Sequence, residues 1–233
     1  MARRLIDVGV AAAVLALASP LLVVCAVGIR LTSRGPVIYR ASRVGLHGRP
    51  FTMLKFRTMR HRPGGQGGAI TTAHDARVFP FGSLLRRSKL DELPQFLNVL
   101  RGEMSIVGPR PEDPAIVASA YGPEHLETLA VRPGLASPGS LFNYTHGEAM
   151  LNGWSAESVY LERLLPVKLA LETVYVRRAS LLYDLSLMCR TVGVIVAIAA
   201  GKRRFREPQE MGEAMELLAQ WQAGARAVLH TAQ

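Results

Sequence analysis

The chain has 233 residues, a length that accommodates one medium-sized domain with a membrane element and a tail but argues against two full domains. Its 28 lysines and arginines exceed its 18 aspartates and glutamates, and the net charge of +10 favours nucleic acid, anionic lipid or phosphorylated small molecules as partners. The only cysteines, Cys25 and Cys189, exclude a disulfide framework and a zinc-binding spacing, so a reducing, cytoplasmic setting is expected for the main domain.

The first element is an apolar segment, residues 8–29, which carries no charged side chain. At about 20 residues it is long enough to cross a bilayer as a helix. A cleaved signal peptide is disfavoured, because the run exceeds the usual ~7–15 apolar residues and no small-x-small cleavage site precedes the polar chain. A membrane-spanning helix and a re-entrant helix that enters and leaves on one side both remain compatible with the segment.

Ser19 and Pro20 lie in the middle of this segment. Proline lacks a backbone donor and clashes with the carbonyl one turn earlier, that of Ala16, so the helix is predicted to kink here. Basic residues flank the segment on both sides, at Arg3, Arg4, Arg30 and Arg34. The positive-inside rule then gives no orientation, as expected for a hairpin whose two ends share the cytoplasmic side.

A β-hairpin is predicted next. A short strand begins at residues 37–39, residues 45–50 form a turn, and residues 51–57 form the second strand. The stretch 61–68 is rich in glycine and lacks hydrophobic periodicity, so a mobile loop is expected there.

Two short helices are predicted around an acidic pair. Residues 81–89 suit a helix with Arg86 and Arg87 on its polar side. Residues 92–100 suit a second helix, with Pro94 in its first turn and Gly102 just past its end. Asp91 precedes the second helix, in a position where an aspartate commonly accepts a hydrogen bond from the helix start.

The same pair, Asp91 and Glu92, also has a chemical interpretation. It directly follows the basic stretch 86–89. A carboxylate can attack a phosphoryl group when nearby cations screen the charge on both partners, and a neighbouring acid can hold a metal ion. Asp91 is therefore a candidate nucleophile and Glu92 a candidate metal ligand.

Arg110 lies between two prolines in the sequence Gly-Pro-Arg-Pro, residues 108–111. Two prolines stiffen the backbone, and an arginine on a rigid turn suits a phosphate or a planar base. A solvated arginine on a surface turn fits the pattern equally well.

A second apolar run, residues 181–200, contains Asp184 and Arg190. It fits a second span, a buried core helix, or a helix in the membrane interface. Because an acid makes a lipid-exposed span costly, the interfacial helix is preferred, with Asp184 facing the site. A basic cluster follows at Lys202, Arg203, Arg204 and Arg206, and residues 211–229 have the spacing of a peripheral amphipathic helix. The predicted organisation is a membrane helix at 1–34, a main domain at 35–201 and a tail at 202–233.

These pieces together resemble the bacterial sugar transferase family, the small monotopic phosphoglycosyl transferases. The resemblance covers most of the chain, from Arg4 to about Gly201, and its most specific stretch is residues 90–112, LDELPQFLNVLRGEMSIVGPRPE. Shorter supporting motifs are RVG at 43–45, KFRTM at 55–59, DARV at 75–78, VRPG at 131–134, and Asp184 upstream of Thr191.

The resemblance implies an α+β fold: a mostly helical monotopic membrane protein with an N-terminal re-entrant helix that breaks at Ser19-Pro20, and a small β-hairpin. It implies transfer of a sugar 1-phosphate from a nucleotide diphosphosugar, usually a UDP-sugar, to polyprenyl (undecaprenyl) phosphate. Asp91 would form a covalent phosphosugar intermediate and release UMP. The expected location is the bacterial inner membrane, with the catalytic domain on the cytoplasmic face.

The resemblance also assigns roles to individual residues. Glu92 corresponds to a Mg²⁺ ligand and Arg86 to a phosphate-binding arginine, while Arg110 lies in a turn used near the nucleotide. Lys55, Arg57 and Asp184 complete the expected substrate-binding set. Membrane lipid is an expected partner and nucleic acid is not, whereas oligomerisation and contact with downstream glycosyltransferases are left open.

One departure from the family pattern affects the expected sugar pocket. Many members follow the Arg-Pro-Gly turn with Thr-Gly, but here Leu135 is followed by Ala-Ser-Pro-Gly at 136–139. Phe142, Tyr144 and His146 beyond this turn are therefore candidates to shape a different pocket, although a partly exposed polar residue remains the preferred interpretation of His146. A non-catalytic, basic membrane-anchored binding or scaffold protein is the alternative function.

Overall fold

The structure is a computed structural model that describes residues 2–60, 75–151 and 156–231, so the loop predicted at 61–68 lies outside the described residues. The described chain is mostly helical, with two small two-stranded sheets. The strands are β1 (Ile38–Val44), β2 (Pro50–Phe56), β3 (Ser105–Val107) and β4 (Gly134–Ala136). The α-helices are α1 (Ala2–Leu17), α2 (Ser19–Thr32), α3 (Pro80–Arg87), α4 (Gln95–Arg101), α5 (Pro114–Ala120), α6 (Pro138–Phe142), α7 (Glu148–Met150), α8 (Ala156–Val159), α9 (Leu165–Arg178), α10 (Leu181–Ala199) and α11 (Met211–Thr231).

The predicted hairpin is confirmed. Strands β1 and β2 pair antiparallel in a register that sets Tyr39 opposite Lys55 and Arg43 opposite Phe51. Inward residues such as Ala41 and Met53 are buried, and they belong to a core shared with α1, α4 and α10. The hairpin thus presents Arg43 and Lys55 from a fixed sheet next to the acidic pair.

A second sheet, which the sequence pattern did not predict, holds the two proline-containing turns together. Strands β3 and β4 run parallel, and the turns that follow β3 and precede β4 lie against each other. A Cβ on Gly134 would lie 2.2 Å from the backbone nitrogen of Gly108, so only glycine allows this approach. The contact fixes the direction in which the 108–111 turn presents Arg110.

The N-terminal helix breaks where the sequence predicts. Helices α1 and α2 meet at a bend of 62° beside Ser19 and Pro20. Pro20 has no N–H to donate to the carbonyl of Ala16, and the Ser19 hydroxyl donates to that carbonyl instead, at 2.8 Å. The Ser-Pro pair therefore bends the helix and still satisfies the carbonyl that the proline leaves unpaired.

Two polar residues dock α1 onto the domain. Arg4 donates to the carbonyls of Val99 and Leu100, at 2.6 and 2.9 Å, near the end of α4. Asp7 is buried, and its carboxylate accepts from the Ser105 hydroxyl at 2.8 Å and from the Ile106 backbone N–H at 2.9 Å. These contacts explain why charged residues occupy the first turns of an otherwise apolar helix.

Three helices leave apolar side chains on the surface. Exposed leucines and valines extend along α1, α2 and α10. Helix α10 is long and apolar enough to cross a membrane, and α1 and α2 pass the same test only as a bent pair. Only 6% of the apolar window in α10 is buried, so the buried-core alternative for this helix is wrong.

The last helix, α11, is part of the core. Its residues Met211, Ala214 and Leu217 are buried against α9, where Leu169 and Val174 belong to the same cluster. Helix α11 was predicted to be amphipathic over residues 211–229; among the described side chains, up to residue 224, its apolar side covers α9.

Candidate active site

A cavity of about 680 Å³ lies between the hairpin, α3, the Asp91-Glu92 turn and the 108–111 turn. Five of the predicted site residues line it: Lys55, Arg86, Asp91, Glu92 and Arg110. These residues are up to 55 positions apart in the sequence, and the fold brings them into one polar cleft.

Asp91 lies in a 3₁₀ turn, Leu90–Glu92, which follows Lys89 in the left-handed conformation at φ 56°. The side chain does not cap a helix, because α4 begins only at Gln95 and Pro94 occupies the cap position. The residue is only 8% exposed, and its Oδ1 atom has no hydrogen-bond partner among the described residues. The N-cap interpretation of Asp91 is therefore wrong.

The pKa of Asp91 is raised from its ordinary value of 3.8 to about 6. Burial is the main cause and the neighbouring charge of Glu92 adds to it, whereas Lys55 and Lys89 act in the opposite direction. At neutral pH Asp91 is thus ionised, desolvated and incompletely hydrogen-bonded, which are the properties of an available nucleophile.

Glu92 has the opposite environment. Arg110 donates to both of its oxygens, at 2.5 and 2.8 Å, and Lys55 and the Tyr144 hydroxyl contact it at 3.5 and 3.3 Å. Burial disfavours ionisation of Glu92, but Arg110 and Lys55 outweigh this effect and lower its pKa. Asp91 and Glu92 are therefore adjacent carboxyl groups whose pKa values are driven apart, a pattern typical of catalytic pairs.

Arg110 is not the solvated surface arginine that the sequence also allowed, because its side chain is 15% exposed and forms a bidentate pair with Glu92. The turn that carries it is held from behind by Glu172. The backbone N–H of Arg110 and the hydroxyl of Ser137 both donate to Glu172 Oε1, at 3.1 and 2.7 Å. Burial raises the pKa of Glu172 to about 7.

Ser137 and Gly139 belong to the stretch that departs from the family pattern, and both help to position the Glu172 carboxyl group behind the Arg110 turn. A Cβ on Gly139 would lie 2.5 Å from Glu172 Oε1, so the glycine makes room for the carboxyl group. Sequence reasoning missed Glu172, because nothing in the local pattern of α9 distinguishes it from a surface glutamate.

A second polar group lines another part of the cavity. Lys168 and the Tyr160 hydroxyl donate to Glu112 Oε1, at 2.6 and 2.5 Å, and Arg43 pairs with Asp113 at 2.7 Å. Sequence reasoning did not select these residues. Glu112 and Arg43 do occur in motifs that carry the family resemblance, whereas Lys168 lies in α9 with no such signal.

The cavity has an excess of positive charge. Eight lysines and arginines line it against four aspartates and glutamates. Several of the cations are paired, but Arg86 and Arg87 form no ion pair in the part of the chain that the structure describes. The cavity is therefore suited to a ligand that brings several negative charges, such as a diphosphate.

Arg57 and Asp184 are not brought to this cavity, which corrects their predicted placement. The Arg57 guanidinium is buried and donates to Ser33 and to the carbonyls of Pro36 and Met59, so it holds the end of α2. Asp184 pairs with Arg3 at 2.8 Å and accepts from the Tyr175 hydroxyl at 2.9 Å. It ties α10 to α1 and α9 and does not face the site.

Of the three residues expected to shape a sugar pocket, only Tyr144 lines the cavity. Phe142 is buried in the core next to α9. The ring of His146 is stacked on Phe142, with ring centres 5.4 Å apart, and its Nδ1 is 2.7 Å from the Thr145 hydroxyl. His146 is therefore a partly exposed polar residue, as the sequence favoured.

The described residues offer few ligands for a metal ion. Among residues 2–60, 75–151 and 156–231, no group of three or more His, Cys, Asp or Glu side chains could hold one. Mg²⁺ commonly uses one or two carboxylates together with substrate phosphate oxygens and water. Asp91, whose Oδ1 has no partner among the described residues, fits that mode of binding, and Glu92 would join it by exchanging one of its contacts with Arg110, Lys55 or Tyr144 for the metal.

Comparison with known proteins agrees with the site. The family model described as bacterial sugar transferase matches residues 1–198. The UDP-glucose:undecaprenyl-phosphate glucose-1-phosphate transferase of Caulobacter vibrioides is 41% identical over 192 residues, which cover 82% of this chain and 68% of the relative. The Escherichia coli protein of the same name is 36% identical over 197 residues, which cover 82% of this chain and 39% of the relative.

A relative with a different sugar in its name is also similar. The UDP-N-acetylgalactosamine-undecaprenyl-phosphate N-acetylgalactosaminephosphotransferase of Aeromonas hydrophila is 32% identical over 196 residues, covering 83% of this chain and 43% of the relative. The chain thus spans less than half of some relatives and about two thirds of another. The family match over residues 1–198, together with these transferases, shows that the chain is a transferase of the bacterial sugar transferase family.

Proposed function

We propose that this chain transfers a sugar 1-phosphate from a UDP-sugar to undecaprenyl phosphate through an aspartyl-phosphosugar intermediate. The observation that carries the proposal is the carboxylate of Asp91, which is buried, has no partner for Oδ1 among the described residues, and lies in a cavity with excess positive charge. The names of the relatives support both substrates.

In the first step, an Asp91 oxygen attacks the sugar-bearing phosphorus of the donor. The bond from that phosphorus to the bridging oxygen breaks, and UMP leaves with the bonding electrons. Burial withholds water from the Asp91 carboxylate, and its pKa of about 6 keeps it ionised at neutral pH. Arg86, which has no ion pair among the described residues, and Arg110, if it exchanges one of its two Glu92 contacts for the donor, would neutralise the phosphate oxygens.

In the second step, a phosphate oxygen of the lipid attacks the same phosphorus. The bond to Asp91 breaks, the carboxylate is regenerated, and polyprenyl diphosphosugar is formed. No proton has to be removed from the lipid phosphate when it is already ionised, so the reaction needs positioning and charge neutralisation more than a general base.

Glu92, with Asp91, would hold Mg²⁺ in this scheme, and the metal would neutralise charge on the diphosphate. Arg110 and Lys55 contact Glu92, so they lie within reach of a phosphate bound beside it. Tyr144 contacts the other Glu92 oxygen and is placed to orient that carboxylate.

The membrane arrangement is also part of the proposal. We infer that the bent pair of α1 and α2 enters the inner membrane and returns to the cytoplasmic face, where α10 adds a third apolar surface. Backbone groups in lipid need internal partners, and the Ser19 hydroxyl supplies one for Ala16. This arrangement would hold Asp91 near the headgroups, where a soluble donor and a lipid acceptor can meet.

The proposal is tested with purified protein, Mg²⁺, a panel of UDP-sugars and undecaprenyl phosphate, with UMP release as the readout. We expect release with at least one sugar and loss of release in Asp91→Asn. Binding of donor or lipid without UMP release from any sugar would instead support the non-catalytic binding or scaffold function.

A further inference from the structure

The connecting segment, residues 201–210 between α10 and α11, is held at both ends. Gly201, two residues past the end of α10, has the left-handed conformation at φ 92°, and the backbone N–H of Lys202 donates to the carbonyl of Ala197 at 2.9 Å. At the other end, the carboxylate of Glu210 is almost fully buried and accepts from Arg190 and Tyr183 of α10. The segment therefore has a defined path although it contains no helix or strand.

This path brings Arg203 to the wall of the cavity that contains Asp91. Arg203 is exposed, and it has no ion pair or hydrogen bond with the described residues of the chain. Its neighbours Arg204 and Arg206 are also exposed but do not line the cavity. Of the four cations in this basic cluster, one is thus placed to meet a ligand in the cleft.

The family model ends at residue 198, before this segment begins. Arg203 is accordingly a contribution that the family pattern does not assign. Within the described parts of the chain, Arg203 has no carboxylate partner and neither do Arg86 and Arg87 in the same cleft, and this additional cation indicates a second phosphate-binding position.

The position of Arg203 relative to α10 indicates which phosphate it meets. Arg203 is four positions after Ala199, the last residue of α10, so the end of this exposed apolar helix lies within about 15 Å of the cavity wall. A phosphate attached to an apolar chain would approach along such a helix, because the chain can contact its apolar side chains. A soluble nucleotide has no apolar chain to make these contacts.

We propose that Arg203 binds the phosphate of the lipid acceptor at the side of the cavity next to α10. This inference rests on the proposed function and adds the acceptor-binding residue to it. Arg203 would hold the lipid phosphate while the phosphosugar on Asp91 is attacked, and would take no part in donor cleavage.

The test compares Arg203→Ala with Arg204→Ala, which removes the same charge from the same segment without touching the cavity. Both proteins are assayed in nanodiscs, and two readouts are separated: UMP release in a single turnover without acceptor, and steady-state turnover against undecaprenyl phosphate concentration. We expect Arg203→Ala to raise the acceptor KM by about 10- to 100-fold, the usual loss for a charge-assisted hydrogen bond. Arg204→Ala and the single-turnover UMP release should stay close to the parent protein.

Arg203→Lys should recover part of the acceptor KM, because a lysine retains the charge but loses the bidentate fork. An equal effect of Arg203→Ala and Arg204→Ala would overturn the inference in favour of general attraction to the membrane. A slower single-turnover release in Arg203→Ala would overturn it in favour of donor binding. Failure of the proposed function is distinguishable from both, since the parent protein would then release no UMP.

Discussion

Replacement of Asp91 by asparagine should abolish turnover and stabilise the folded protein. The side chain is 8% exposed, and folding raises its pKa from 3.8 to about 6, chiefly through burial. Since each pKa unit corresponds to about 1.4 kcal/mol, the ionised carboxylate costs the fold about 3 kcal/mol above pH 6. Asparagine has nearly the same shape and no charge, so it removes this cost.

The size of this stabilisation depends on pH. A carboxyl group with a raised folded-state pKa is fully compatible with folding below its unfolded pKa and becomes destabilising as pH rises through 6. The stability difference between Asp91→Asn and the parent protein should therefore be small near pH 4 and approach about 3 kcal/mol near pH 8. Thermal or denaturant unfolding in one detergent, followed at both pH values, measures it.

Glu92→Gln is the matched control and should change the stability of the folded protein in the opposite direction. Glu92 is held ionised by Arg110 and Lys55, and its loss leaves a buried arginine without its bidentate partner. This variant should be less stable than the parent protein at pH 8. If Asp91→Asn were destabilised there to a similar extent, Asp91 would be a paired structural carboxylate and the reasoning would be refuted.

Further predictions concern the pH profile, the helix docking and the helix break. The rate of UMP release in a single turnover should fall toward low pH as Asp91, whose pKa is raised by burial, becomes protonated, and bound Mg²⁺ should shift this fall to lower pH; a rate that is independent of pH at every Mg²⁺ concentration would contradict this. Asp7→Asn should lower stability by about 1–3 kcal/mol, measured by thermal unfolding, because its charge supports two hydrogen bonds to β3; an unchanged melting temperature would show that α1 docks without them. Cysteines introduced at positions 2 and 34 of the parent sequence should both be labelled from the cytoplasmic side, and labelling from opposite sides would contradict the re-entrant arrangement. Pro20→Ala should restore a straight helix, so that in this variant the two cysteines are labelled from opposite sides of the membrane.

Local patterns predicted much of the fold and the site. The hairpin, the helix break at Ser19-Pro20 and the helix that ends before Gly102 each depend on residues close together in sequence. Asp91 and Arg110 are marked by short, rigid motifs, and the structure brings both to one cavity.

What the sequence did not predict depends on contacts between distant segments. Strands β3 and β4 are short and pair across 29 residues, and the reason for their pairing is the close approach of Gly108 and Gly134. Asp184 was expected in the site because an acid in an apolar helix suggests function, but it pairs with Arg3 of α1, which is 181 positions away in the sequence.

The positions of Arg57 and Arg203 also depend on distant segments. Arg57 was expected in the site but lies outside it, whereas Arg203 was not expected there but lines the cavity. Arg57 follows Lys55 by two residues, yet β2 ends at Phe56, and the arginine instead binds the carbonyls near the end of α2. Arg203 belongs to a basic run that the sequence assigns to the tail, and only the path of the connecting segment brings it to the cavity.

The most direct test of the account is the intact mass of the purified protein after incubation with Mg²⁺ and an accepted UDP-sugar, without lipid acceptor. The proposed mechanism predicts an added mass equal to the sugar phosphate, located on Asp91 by peptide mapping, absent in Asp91→Asn, and removed when undecaprenyl phosphate is added. A protein that turns over at full rate with no such adduct at any time, or an adduct that persists in Asp91→Asn, would contradict it.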